Sequence, residues 1–263
     1  MLSPDLSIVL PSWRRPKMLA RCLSSLAGGG HQMPWTVEVL VGLQDDDFDN
    51  YRDVPPIGGV RMLSMPEQHS LGAKMNLIAK EARGRFLMPL ADDMVLTNAD
   101  WERRIIGGAH FAQSTGQMAH AVYPPHPDFT ILPILPKAWV ELAGFFAAPW
   151  FPYWFTDTWW DEIATMIGGR APIDVGVDQP DGNHTSGQPD LLLWICLFTR
   201  LRPLRIATAE MIRGSRVPWE LVARCEQRVA HIYAPEFIAR WSQDDRRNSR
   251  YDEAAARAVA MLA

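Results

Sequence analysis

Two aspartates directly after an apolar run, Asp92 and Asp93 following Phe86–Leu90, are the residues of this sequence best suited to chemistry. Adjacent carboxylates repel and raise each other's pKa, so the pair is costly unless a cation joins it. Carboxylate oxygens suit Mg²⁺ or Mn²⁺. Two more polar clusters, Arg14-Arg15 and Asp45–Asp47, also follow short apolar runs. Singly, each is most often an ordinary surface turn. Their weight depends on whether the fold brings all three together.

The elements around them predict that it does. Leu6–Leu10, Val37–Leu43, Arg61–Met65 and Phe86–Leu90 have the length and apolar character of buried strands. Pro16 stands where a first helical residue should. Met18, Leu19, Cys22, Leu23 and Leu26 follow at helical spacing until Gly28-Gly29-Gly30 stops them. Leu71–Arg83 predicts a second helix, with Met75, Leu77, Ile78 and Ala82 as its apolar face and Gly84 as its stop. Strands and helices in this order make an α/β fold, an open and mostly parallel sheet with helices on both faces. Ligands of such sheets bind beyond the carboxyl ends of the strands. Each polar cluster lies at such an end, so the three should converge on one edge.

Beyond residue 100, Asp100–Ser114 predicts a helix, Met118–Tyr123 a strand and Pro124–Pro136 a proline-rich connection. Trp139–Ile167 is aromatic-rich and mostly helical by pattern, and Pro172–Val177 is a late strand. Asp181–Gly187 is a polar turn, Pro189–Leu197 a buried helix, and Pro218–Ala263 a set of amphipathic helices.

Composition bounds the rest. With 263 residues, 48% hydrophobic and 21% charged, the chain is neither disordered nor collagen-like. A net charge of −4 gives no global case for nucleic-acid binding. Residues 196–263 nevertheless hold twelve arginines and no lysine against eight acidic residues, which suits a solvated helical face or an anionic acceptor. Cys22, Cys196 and Cys225 are far apart and in no metal spacing, as expected of free thiols in a reducing compartment. The opening MLSPDLSIVLPSWRRP has no leader pattern, and Glu141, Pro149 and Pro152 interrupt the longest apolar stretch. The expectation is a cytoplasmic protein without stable membrane insertion.

The segment SIVLPSWRRPKMLARCLSSL resembles the first strand and helix of GT-A-fold glycosyltransferases, especially the large inverting family two. LGAKMNLIAKEARGRFLMPLADDMVLTNADWE resembles that family's glycine-alanine-x-x-asparagine helix, its A-x-G turn and its DXD strand end. The likeness is good over residues 6–102, loose over 137–200 and absent from the tail. It implies a GT-A (Rossmann-like) domain over 1–200, with 1–100 as nucleotide-sugar half and 101–200 as acceptor half. A helical extension, 201–263, follows.

Carried over by residue, the resemblance gives Pro11, Trp13 and Arg15 the loop that wraps the nucleotide. It puts Asp45 or Asp46 near the base, although VGLQDDD departs from the usual DDGSTD. Lys74 would lie near the diphosphate, and Asn76 would serve helix packing. Asp93 matches the metal-binding acid of DXD and Asp92 its middle position, while Ala91 replaces the first acid. Asp157, in FPYWFTDTWWDEI, matches the general base, with Asp161 one turn later in reserve; an Asp there is also a common helix cap. His184, in DGNHTSG, matches a late metal ligand. Of Trp139, Trp150, Trp154, Trp159 and Trp160, most should fill the core and one or two should line the acceptor site.

The function expected is metal-dependent transfer of a sugar from a nucleotide-sugar, a UDP-sugar, to an acceptor hydroxyl with inversion, using Mn²⁺ or Mg²⁺. The acceptor is left open among a glycan, a lipid-linked group and modified DNA, the last implying a DNA-modifying enzyme that acts on a hydroxylated base. A nucleotidyltransferase would use the same carboxylates, but it usually shows a glycine-rich basic loop where this chain reads PSWRRP. A non-catalytic nucleotide-sugar or glycan-binding module is the other alternative.

Overall fold

Four apolar runs form the parallel half of one sheet: β1 (Leu6–Pro11), β2 (Val37–Gln44), β3 (Val60–Met65) and β4 (Phe86–Pro89). The computed structural model describes residues 3–30, 33–34, 36–67, 70–123, 132–151, 155–180 and 191–232, with backbone alone at 191–192 and 228–232. All eight residues of β2 are buried, as in a strand covered on both faces. A two-residue β5 (Val95–Leu96) is followed by β6 (Met118–Ala121), β7 (Leu132–Pro136), β8 (Arg170–Ile173) and a short β9 (Val177–Asp178). The seven-stranded sheet has the order β3-β2-β1-β4-β7-β6-β8, and β7 runs antiparallel to both its neighbours. β5 and β9 pair separately.

Helices cover both faces. α1 (Pro16–Leu26) and α3 (Trp101–Ser114) pack Leu19, Leu23, Ile105 and Ala109 against Ile8, Leu10, Val39 and Val41. On the other face, α2 (Leu71–Lys80), α4 (Lys137–Ala143) and α5 (Thr156–Ile167) pack with Val9, Leu40, Leu87 and Leu135. α6 (Leu191–Arg200), α7 (Arg202–Arg213) and α8 (Trp219–Ile232) complete this layer, and Ala209, Val222 and Cys225 join its core. α7 begins the helical extension expected over 201–263. Among the described residues, no helix is long and apolar enough to cross a membrane.

Three regions differ from the sequence reading, the simplest being Pro172–Val177, expected as one strand and divided between the end of β8 and the start of β9. The proline-rich connection Pro124–Pro136 ends in strand β7. Prolines are tolerated there because the β4–β7 ladder spans only Phe86↔Pro136 and Leu87↔Leu135. Continued in that register, Pro89 would face Pro133, and neither has an N–H to donate. The ladder therefore stops, and the sheet parts just before Asp92 and Asp93.

Trp139–Ile167 is likewise two helices with an irregular, largely buried stretch, 144–151, between them. Gly144, at φ 79, ends α4. Asn76 holds the stretch to α2: its amide donates to the Ala147 carbonyl at 2.7 Å and accepts from the N–H groups of Phe146 and Ala147 at 2.8 and 2.9 Å. Gly72, one turn earlier, lets the backbone approach, since a Cβ there would lie 2.3 Å from the Ala148 carbonyl oxygen. The Ser70 hydroxyl donates to the Pro149 carbonyl at 3.0 Å and accepts from the Ala73 N–H, capping α2. Trp139, Trp159 and Trp160 are buried, and the Trp160 indole donates to the Phe146 carbonyl at 2.7 Å. Trp154 lies outside the described residues.

Replacing Asn76 by Leu keeps the volume but strands three backbone groups. The expected loss is about 2–3 kcal/mol of stability in urea unfolding. A loss below about 0.5 kcal/mol, the scale of a neutral surface change, would show that the stretch is held by packing alone.

Candidate functional site

The three polar clusters meet at the carboxyl edge of β1, β2 and β4. Parallel register sets Val9 beside Pro89 and Pro11 beside Gly42, so the three strands end at one level. From the end of β1, the Ser12 hydroxyl donates to Asp92 Oδ2 at 2.6 Å. Arg15 Nη1 stands 3.5 Å from Asp92 Oδ1 and 3.6 Å from Asp93 Oδ2. Asp92 and Asp93 are each only 6% exposed.

The loop carrying Arg15 is held by Asp47, from the acidic cluster expected at this edge, and by Tyr51, which sequence reasoning passed over. Asp47, the last of the acidic triplet, is buried and accepts the Arg14 N–H at 2.5 Å and the Asn50 amide at 2.7 Å. That anchor accompanies a positive φ of 54 at Arg14, a conformation non-glycine residues seldom adopt. Tyr51 takes the Arg15 N–H at 3.1 Å and shares a 2.8 Å hydrogen bond with the Ser12 hydroxyl. A chain Arg15–Tyr51–Ser12–Asp92 therefore links the loop to the carboxylates. The placement of Asp47 straight after a buried strand was its only signal in the sequence. Tyr51 offered none.

The remaining candidates divide. Pro11 ends β1, and Trp13 projects from the loop, 38% exposed, with the Arg14 guanidinium 4.8 Å from its ring. Asp45 is exposed and accepts from the Ser64 hydroxyl of β3, and Asp46 is exposed beside it. Lys74, in the first turns of α2, feels Asp47, Asp46 and Asp92, so it faces the same edge. It sits two residues from both Gly72 and Asn76, which the 144–151 stretch occupies. Asp157 lies in the first turn of α5, and its Oδ1 accepts from the Thr158 N–H at 2.7 Å. The residue at the cap position is Phe155, at φ 69. Asp161 is buried and paired with Arg170 at 2.9 Å. His184 lies outside the described residues.

Burial dominates the electrostatics. It pushes the Asp92 carboxyl above its ordinary value, aided by Asp93 and opposed by the Ser12 hydrogen bond and the Arg15 charge. Burial raises Asp157 also, against its bonds to Thr158. Lys74 is pulled down by burial, with the surrounding carboxylates acting the other way. Among the described residues, Asp93 Oδ1 is buried with no hydrogen-bond partner. An orphaned carboxylate oxygen beside a second carboxylate fits a hard divalent cation, which needs only one or two protein carboxylates when substrate phosphates and water fill its other positions. Among the described residues no group of three His, Cys, Asp or Glu side chains is gathered to hold a metal, so protein ligands alone do not complete a cage. A cavity of about 990 Å³, lined by Ser24–Gly29, Val95–Ala99, Trp101 and Glu102, lies at the far end of α1 from this edge.

The raised Asp92 value fixes a sign. Folding favours the protonated carboxyl, so this residue's contribution to stability is full in acid and is lost as pH rises through the raised value. Asp92→Asn removes that loss. Thermal unfolding of both proteins at about pH 4 and pH 7 should show the variant gaining on the wild type at the higher pH. A gap that moves the other way would mean that Ser12 and Arg15 outweigh burial.

Neither a family model nor a curated protein sequence matches the chain. Solved structures do. S. aureus TarS 1-349 in complex with UDP-GlcNAc superposes with a TM-score of 0.55 at 13% identity, over 98% of this chain and 80% of that one. The mannosyltransferase PcManGT from Pyrobaculum calidifontis, in complex with GDP-Man and Mn²⁺, gives 0.54 at 13% identity, over 100% and 79%. Against the longer S. aureus TarS structure, the match spans 35% of that chain. The fold expected from the sequence is the fold found: this chain has the GT-A architecture of these glycosyltransferases.

Proposed function

We propose that this protein transfers a sugar from a nucleotide-sugar, a UDP-sugar, to an acceptor hydroxyl with inversion at the anomeric carbon. The observation that carries this reading is the buried Asp92–Asp93 pair at the end of a central strand, flanked by Arg15 and Lys74. Proteins of this fold hold UDP-GlcNAc in one case and GDP-Man with Mn²⁺ in another. Residues 1–200 would form the transferase domain and 201–263 an extension, of which α7 and α8 are the described helices.

Asp93, with Asp92 beside it and His184 as a later ligand, would hold Mn²⁺ or Mg²⁺. When bound, the cation supplies charge neutralisation at the leaving diphosphate. Arg15 and Lys74 bring positive charge to the same sheet edge, where charge develops as the glycosidic bond to phosphate breaks. Trp13 offers an exposed aromatic face to the base, and Pro11 stiffens the turn beneath it. Asp45 and Asp46, exposed at the end of β2, are the acceptors for the base's N–H groups.

Asp157 takes the acceptor's proton as the hydroxyl attacks. A carboxyl raised by burial is a better base than an ordinary surface Asp, provided it is ionised at working pH. Asp161 is the lesser candidate, because its charge is already committed to Arg170. Three arginines of the C-terminal region do not weigh toward an anionic acceptor. Arg202 and Arg205 face Glu162, and Arg213 donates to the Met166 carbonyl, so these three serve internal packing.

Two measurements test the reading. Thermal shifts with UDP, GDP and CMP, each with and without Mn²⁺, should show one nucleotide stabilising the fold only when metal is present, by about 2.7 kcal/mol at a hundredfold excess over Kd. Asp93→Asn should erase that shift, and silence from every nucleotide would leave the scaffold without donor chemistry. Once the donor is known, Asp157→Asn should lower turnover by about 10²–10⁴-fold while donor binding stays intact. Full turnover in that variant would reassign the base.

A further inference from the structure

Arg15 stands where a cation is needed and is only loosely engaged there. One nitrogen, Nη1, serves both carboxylates at 3.5 and 3.6 Å, well beyond the roughly 2.7–2.9 Å of a tight charge-assisted hydrogen bond. The guanidinium balances charge at these distances without locking into either carboxylate. Its side chain is 43% exposed, whereas those of Asp92 and Asp93 are 7% and 8%. The backbone beneath it is fixed, because Tyr51 holds the Arg15 N–H and Asp47 holds that of Arg14. A change of Arg15 rotamer therefore moves the charge while the loop stays in place. Asp93 Oδ1, buried and without a hydrogen-bond partner among the described residues, shows that the arginine leaves the pair's acceptor capacity unfilled.

We propose that Arg15 is the resident counter-cation of Asp92 and Asp93, displaced by the divalent metal and then free to bind the donor's diphosphate. The proposal rests on the transferase reading above and adds an order of events to it. Metal alone must compete with a charge already in place and, having displaced it, leaves that guanidinium beside a dication. A diphosphate gives Arg15 somewhere to go. Metal and nucleotide therefore bind cooperatively, and the coupling is reciprocal. In the absence of both, Arg15 keeps two buried carboxylates from facing each other unscreened.

The test follows free Mn²⁺ by its electron paramagnetic resonance signal in titrations of the full chain, with and without UDP or GDP. Wild type, Arg15→Met, Arg15→Lys and Asp93→Asn are compared. Arg15→Met should bind Mn²⁺ alone about fivefold or more tightly than wild type, and the nucleotide's tightening of Mn²⁺ should shrink by a similar factor. Arg15→Lys, which keeps the charge, should stay near wild type on both counts. Unchanged or weaker Mn²⁺ binding by Arg15→Met, with Asp93→Asn binding none, overturns the counter-cation role and leaves the metal site standing. Wild-type Mn²⁺ affinity in Asp93→Asn overturns the metal site itself, and the counter-cation with it.

Discussion

Two neighbouring carboxylates, each buried at the end of a strand, repel one another unless positive charge is brought to them. Much of the surrounding structure answers that requirement. β1 ends in Ser12, whose hydroxyl bonds Asp92, and its following loop is bent so that Arg15 reaches both acids. The bend needs a residue at positive φ, and Asp47, from the end of β2, ties it down. Lys74 comes from the opposite side on α2, its own charge disfavoured by burial and sustained by Asp47, Asp46 and Asp92. Removing any one of these groups leaves another charge less well matched. The cluster is best understood as one electrostatic unit assembled from three strand ends and a helix start.

The sheet makes room for that unit by failing to pair. β4 and β7 join only at Phe86–Pro136 and Leu87–Leu135; two positions beyond Leu87, the same register sets Pro89 opposite Pro133, and neither can donate. The strand that delivers Asp92 and Asp93 is thus freed on one side just before it does so. On its other side it stays bound to β1, where the Leu90 N–H still reaches the Val9 carbonyl. One strand gives the carboxylates a rigid support, and the missing ladder gives them an opening. The irregular 144–151 stretch carries order onward. Asn76 on α2 grips Phe146 and Ala147, and Trp160 on α5 grips Phe146 in turn. The helix that presents Lys74 is tied through these bonds to the helix that begins with Asp157.

How much of this was legible in the sequence follows from range. The first hundred residues are built from local signals: apolar runs, a proline at a helix start, glycines at its end. There the reading and the structure agree to within a few residues, and the convergence of the clusters follows from parallel topology alone. β7 was hidden because its prolines signal a loop, and only its partner strand shows why they fit. α7 lies in the stretch expected to be helical, but its arginines suggested a solvated face, and Arg205 is instead buried. Tyr51 could not be found at all. Its role depends on a hydrogen bond across 39 positions of sequence, and nothing near it in the chain points there.

Those arginines carry the last lesson about charge. Arg205 is fully buried, its Nε 2.6 Å from Glu162 and its guanidinium 3.7 Å from the centre of the Phe198 ring. A guanidinium is weakly hydrated and stacks on aromatic faces, so Arg can enter a core where Lys would pay more heavily in lost solvation. Arg202 adds a second charge against Glu162 at 3.5 Å, and Arg213 caps the Met166 carbonyl. The positive excess of the C-terminal region is thus partly spent inside, neutralising an acid on α5. A net charge counted along the chain says little about the surface a partner meets when a fold uses its arginines as packing groups. The same side chain that welds α7 to α5 here becomes, at position 15, an exposed and loosely held cation, and burial decides which role it takes.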